Sequence, residues 1–452
     1  MQAASSAITP SGPRESDTVA RLQALRRRYL FGMALSFILG LLVVAACHLT
    51  VQTIGTQAAP SAVAAQRIKI DAQGIDADLA DELISVPGQD YQAVTNYEQR
   101  LAAVHRDLIA LSRIIPEGAV LQDVNQHLGD YEEATQRARD YHQQHDPSDL
   151  AAYRGGLEIL QTDLLTPADR LYQSGSSTLQ VTYNVWRLAL IVALIWVAVW
   201  LRSLLQLMSM RAFLRERFRY WFYRPIFAVL IVNLLFFAPV CGFSLWTIQQ
   251  IQVAKSAAYD SLSALLDARA DSYAAKAAES RWLLDHPNAP IYAKAFEDQI
   301  ALVARSSDNQ SVDAIADTFT TDSPPDRITG LLGIALRNLS SPGERETLTL
   351  ALRDFGAFVR IDREIRRLEN NGEHTKAVEL CIGRDPGESN WAFAQYDAAL
   401  GKTLESNQSQ FEIALNRAMQ GIYVLYGLLF LLTLPSLALV WTGVQKRLME
   451  YL

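Results

Sequence analysis

Four apolar runs punctuate an otherwise polar, helix-patterned chain, at residues 29–51, 188–201, 226–245 and 421–444. Runs of this kind, without internal charge, carry the signature of membrane spans. The two central runs flank a basic stretch holding Arg202, Arg211, Arg215, Arg217, Arg219 and Arg224 against a single acid, Glu216. A basic connector between two spans belongs on the cytoplasmic side. That rule predicts cytoplasmic tails at 1–28 and 445–452, spans at 29–51, 184–208, 224–248 and 421–444, and a cytoplasmic loop at 209–223. Two long segments, 52–183 and 249–420, then fall outside the cytoplasm.

Both long segments read as helical bundles. In the first, Leu101, Val104, Leu108, Leu111 and Ile115 recur at helical spacing and make one apolar stripe. A helix over 70–85 stops at Pro87 and Gly88, a third runs from Val120 to about His145, and a fourth leads towards the second span with an interruption expected at Gly175. In the second segment, neither Gly nor Pro occurs between Ser244 and His286, so the third span is expected to continue into a long helix. Further helices are predicted over 328–339 and 344–368. The face carrying Arg353, Arg360, Arg363, Arg366 and Arg367 alternates with acids and reads as a salt-bridged surface. No strand-like alternation stands out. Each half shows the same order of span, Ala- and acid-rich helix, helices and span, which points to a tandem duplication. Asp71, Asp76 and Glu82 correspond in pattern to Asp267, Asp271 and Glu279.

Charge sharpens the topology. The segments assigned to the cytoplasm, counted with the flanking Arg202 and Arg224, hold 13 basic and 4 acidic residues, while the two long segments hold 27 basic and 44 acidic residues. This is the Lys/Arg bias that orients spans. Among three cysteines, only Cys381 lies in a long segment, so no disulfide within one of those segments is available and core packing must hold the fold. Cys381 itself is expected to be a small buried hydrophobe.

The chemistry-bearing patterns are sparse. His142 and His145 are three apart beside Asp146, but no third ligand shares their spacing, so no metal site is assigned. Phosphate-cradling glycine loops, nucleophile elbows and zincin or kinase signatures do not occur, and the cytoplasmic segments are too short for a catalytic domain. The reading is therefore non-enzymatic, with no catalytic residue and no cofactor. Asn233 is expected to hydrogen-bond between spans. Arg211, Arg215, Arg217 and Arg219 set topology and touch lipid phosphates on the plainer reading, and are the candidate docking residues for a cytoplasmic partner on the sharper one.

Three stretches resemble actinobacterial four-span membrane proteins related to the GlnX-type signalling membrane proteins. They are 279–285 (E-S-R-W-L-L-D), 381–393 (C-I-G-R-D-P-G-E-S-N-W-A-F) and 164–172 (L-L-T-P-A-D-R-L-Y). The resemblance implies a relay in the bacterial plasma membrane, from a periplasmic solute-binding protein to a cytoplasmic serine/threonine kinase or other regulator. Two large segments outside and almost nothing inside fit that role. A structural or transport-accessory scaffold and a direct small-molecule sensor are the alternatives. The lipid bilayer is a partner in every case, and nucleic acid in none.

Overall fold

The computed structural model describes residues 13–115, 119–218, 223–254, 259–308, 310–339 and 343–449. It is all-α, as expected, apart from one two-residue antiparallel pairing of β1 (Arg305–Ser306) with β2 (Ile328–Thr329). The helices are α1 (Pro13–Thr53), α2 (Ala59–Ile84), α3 (Tyr91–Ile114), α4 (Ala119–Gln143), α5 (Asp149–Ile159), α6 (Leu165–Phe218) and α7 (Arg224–Gln252). They continue with α8 (Asp260–Leu284), α9 (Ala289–Val303), α10 (Val312–Thr318), α11 (Gly330–Arg337), α12 (Glu344–Asn370), α13 (His374–Ile382) and α14 (Ser389–Leu448). Single π-turns at Ile54–Ala58 and Leu160–Leu164 join α1 to α2 and α5 to α6 without leaving helical backbone. The interruption expected at Gly175 is absent, because Gly175 is packed against Ala62 and Ser61 of α2 within an unbroken α6. Whether the third span continues unbroken turns on residues 255–258, which lie outside the described residues.

The chain divides into two compact units. The first comprises Met1–Gln52, Val181–Gln250 and Asn416–Leu452. It contains apolar stretches of α1, α6, α7 and α14, four helices long and apolar enough to cross a membrane, which makes this a multi-pass membrane protein. Inside this unit Asn233 accepts from Trp200 Nε1 at 3.1 Å and donates to Ser436 Oγ at 3.0 Å, tying α6, α7 and α14 together. The ring of Phe237, one turn along, stacks on Trp200.

The second unit, Thr53–Gln180 with Ile251–Leu415, gathers both long polar segments. The sequence reading treats them as two bundles; here they share one unit because α2 and α8 pack along each other in parallel. Gln66 meets Asp267, Asp76 meets Arg281, and Asp81 meets Ser280. Each of these helices is also wrapped on its other sides. Residues 72–77 of α2 and 275–281 of α8 are buried without a break, which a helix with one solvent face cannot achieve. Alanine makes such close wrapping sterically possible: Ala65, Ala80, Ala268, Ala275, Ala277 and Ala278 are fully buried. α3 to α6 complete a core around α2 through Val104, Leu108, Leu111 and Tyr131, and α9 to α14 complete one around α8 through Phe355, Phe358 and Tyr396.

Replacing Ala275 by Leu forces extra methylenes into this close approach. Urea denaturation of the detergent-solubilised protein should show a loss of about 1–3 kcal/mol, with far-UV dichroism at zero urea unchanged.

Candidate functional site

A helix buried on every side must pair its charges, because an unpaired ion in the interior is strongly destabilising. Both central helices are rich in charge. Along α2, Asp76 accepts from Tyr153 OH at 2.8 Å and pairs with Arg281 at 3.4 Å, and Glu82 accepts from Arg139 Nε at 2.8 Å. Along α8, Lys276 donates to Glu279 at 2.8 Å and lies 3.6 Å from Asp81. Burial favours its neutral amine, but the carboxylates of Asp81 and Glu279 outweigh burial and keep Lys276 ionised. Cys381 is buried as expected, but its company is polar: its Sγ lies 3.6 Å from Lys276 Nζ, and burial pushes the thiol well above its ordinary range.

At one side of the α2–α8 pair this network opens into a cavity of about 400 Å³. Both polar segments line it: Asp78, Asp81 and Arg100 from the first, Lys276, Arg384 and Asp397 from the second, with Trp391 and Phe393 as its apolar wall. Its three carboxylates and three cations balance, so the lining is polar yet neutral overall.

Arg100 is the centre of this lining. Its Nε donates to Asp78 Oδ2 at 2.8 Å, its Nη2 to Tyr273 OH at 2.7 Å, and its Nη1 to Asp71 Oδ1 at 3.5 Å. Its guanidinium also lies 4.3 Å from the centre of the Tyr273 ring. This pose requires Gly74, since a Cβ there would stand 2.7 Å from the guanidinium. On the far wall Arg269 grips Asp397 through two bonds of 2.6 and 2.7 Å. Arg384 donates to Asp90, whose carboxylate also accepts from the Ala93 N–H at the start of α3. That pair joins the first polar segment to the second at the rim.

Two acids bonded to Arg100 resist ionisation. Burial pushes Asp71 and Asp78 up to about 6, against the pull of Arg100. Burial likewise raises Asp267 and Asp271 to about 6, near Lys69 and Asp169.

The sequence-derived candidates fall elsewhere. Arg211 is half-buried and Arg215 exposed, both in the last two turns of α6. Arg217 belongs to the same helix, with its side chain outside the described residues, as is the whole of Arg219. His142 and His145 do not converge. His142 is buried and bonded to Asp149 and the Ser85 carbonyl, while exposed His145 adopts a left-handed turn with φ 57°. The basic face of α12 is salt-bridged as expected, through Arg360–Asp317, Arg363–Asp313 and Arg367–Glu364. The cavity residues were missed because they come from stretches roughly two and three hundred residues apart. The available signal was the density of charge on two helices without a polar face.

One comparison bears on what this arrangement does. Residues 50–184 match the family model of the actinobacterial sensor domain. That stretch runs from the end of α1 into α6, under a third of the chain, and it supplies the Asp78, Asp81 and Arg100 side of the cavity. The match supports a sensing or signalling role. No curated protein and no solved structure matches the chain.

Four acids with folded values near 6 imply a definite pH response. Their folded values exceed the ordinary aspartate value of about 4, so they stabilise the fold fully below that value and lose the contribution as pH rises through 6. Asp271→Asn removes one of these groups and relieves Asp267 beside it. Melting temperatures measured between pH 4 and 7.5 should therefore decline less steeply in the variant than in the wild type.

Proposed function

We propose that the protein is a non-enzymatic transmembrane sensor whose polar unit lies outside the cytoplasm of a bacterial plasma membrane and whose two termini lie inside. It takes a small polar ligand in the cavity between α2, α3, α8 and α14, and passes the occupancy signal to a cytoplasmic regulator such as a serine/threonine kinase. The observation that carries this reading is the cavity itself, charge-balanced, aromatic on one wall, and built half from the stretch that matches a sensor domain. A site with equal numbers of carboxylates and cations suits a zwitterion or a neutral polar molecule better than a multiply charged one. The orientation is supported by the concentration of Arg and Lys at the ends of the spans. The pairing of two similar helices, α2 and α8, is what a tandem duplication would produce. Three of the helices that build the apolar spans, α1, α6 and α14, run on as helical backbone into residues of the polar unit, a continuity suited to signal transfer.

A second reading keeps the relay but brings the solute on a separate periplasmic binding protein. It rests on the family resemblance of 279–285, 381–393 and 164–172. A passive scaffold would predict neither ligand-linked change nor loss of output on altering the cavity.

Two experiments decide among these. Calorimetric titration of the full chain in detergent with a panel of small zwitterions should give saturable binding, weakened at least tenfold by Trp391→Ala or Arg100→Ala. A folded wild type that binds no member sinks direct sensing and leaves the relay through a binding protein. Separately, replacing Arg211, Arg215, Arg217 and Arg219 by Gln should abolish recovery of the cytoplasmic regulator by crosslinking, with insertion checked by reporter fusions. Unchanged recovery would leave these arginines a topological role alone.

A further inference from the structure

Away from the cavity, three side chains of metal-ligating type converge at a different place in the polar unit. His286 follows the end of α8, Glu369 lies in the last turn of α12, and His374 opens α13. His286 Nε2 is 3.4 Å from Glu369 Oε1, and His374 Nδ1 is 2.8 Å from Glu369 Oε2. The three ligand atoms all lie within 4.8 Å of one another. We propose that His286, Glu369 and His374 bind one divalent transition-metal ion of the zinc class.

The ligand set fits that class. Two imidazoles and one carboxylate with room for water suit zinc, whereas calcium and magnesium prefer all-oxygen shells. Zinc–ligand bonds near 2.1 Å place ligand atoms about 3.4 Å apart in a tetrahedron. The two contacts to Glu369, each to a different carboxylate oxygen, lie at and below that separation. The three ligand atoms, within 4.8 Å of one another, have only to draw together, and both rings are more than half exposed, so a modest side-chain rotation suffices. The exposure also leaves open positions for water.

The surroundings argue for a cation rather than a bare hydrogen-bonded trio. Glu369 stands at a helix C-terminus, where its charge opposes the partial negative charge of the terminal carbonyls. It is nevertheless mostly covered, at 15 % side-chain exposure. A dication between the three would offset that charge. The backbone presents the ligands in fixed positions. Gly372, with φ 78°, turns the chain sharply after α12, and its N–H donates to the Glu369 carbonyl, so that His374 folds back over Glu369. On the other side Asp285, next to His286, is clamped by Arg154 through bonds of 2.6 and 2.9 Å and by Tyr292 at 3.1 Å. Beneath the site lies a small apolar cluster of Leu283, Ile365, Leu368, Ala377 and Cys381. An ion there would staple the α12–α13 turn to the end of α8, and thus to one of the two helices at the centre of the polar unit.

The test uses the full chain in detergent, free of any polyhistidine tag and stripped with chelator. Titration with zinc chloride in excess magnesium should show one ion per chain and a rise in melting temperature. His286→Ala combined with His374→Ala should weaken binding by about a hundredfold and abolish the rise. Glu369→Gln, which keeps the shape of the side chain, should weaken binding at least tenfold. Circular dichroism establishes that each variant is folded, and both histidines are exposed enough to be removed without unfolding. Zinc bound equally by wild type and double variant overturns the proposal, as does a folded wild type that takes up no zinc at about 100 µM.

Discussion

The structure of the polar unit depends on the parallel contact between α2 and α8, two helices with no solvent face over much of their length. Neither would hold its structure alone in water, since most helical stability in a protein comes from tertiary packing. Several of their buried charges are tolerable because they find a partner on a neighbouring element: Asp76 with Arg281, Glu82 with Arg139, Asp81 with Lys276. Buried pairs of this kind contribute little net stability, yet removing one partner costs several kcal/mol. They therefore act chiefly as a register lock. A shift of one turn between α2 and α8 would break the Asp76–Arg281 and Asp81–Lys276 pairs, whereas a purely apolar contact between alanine faces would tolerate sliding.

That register also creates the cavity. Where pairs are complete, as at Asp76, the interior is closed. Where α3 and the start of α14 stand off from the central pair, Arg100, Asp78, Asp81 and Lys276 line open space. On the proposed function, the same residues serve packing and recognition. This explains why Gly74 must lack a side chain: the guanidinium that bridges Asp71, Asp78 and Tyr273 lies flat against α2.

How much of this was legible in the sequence differs by physical cause. The spans were plain, because long uncharged apolar runs have few soluble explanations. The stripe from Leu101 to Ile115 and the stop at Pro87 and Gly88 were readable because both are local signals; Val104, Leu108 and Leu111 are indeed buried and α2 ends at Ile84. The union of the two polar segments was not legible. It is a contact between residues about two hundred apart, and an alanine helix carrying charge on all sides has no periodicity to reveal its partner. Charges there look like solvent exposure until the pairs are seen. Cys381 shows the same gap, since burial was predictable but the company of Lys276 and Glu279 was not. The His286–Glu369–His374 group escaped for a related reason: its ligands span 83 positions at one end and five at the other, and only the Gly372 turn and the end of α8 bring them together.

The energies at the cavity are of the size that the proposed sensing role needs. A transition between two conformations is controlled by ligands when the states differ by a few kcal/mol, and typical coupling between sites is about 1–3 kcal/mol. Raising Asp78 from its ordinary value to about 6 corresponds to about 3 kcal/mol held against its ionised form. A ligand that supplies a positive group beside Asp78 and a negative one beside Arg100 would recover part of that amount without opening the α2–α8 register. It would also compete with the Arg100–Asp78 bond, the link between α3 and α2 at the cavity wall. Binding energy would then be released where two helices meet, and not in the closed interior where the pairs are already satisfied. That distribution, a rigid paired core beside an incompletely compensated wall, is the physical basis on which occupancy of a small cavity could change the packing of a long helix.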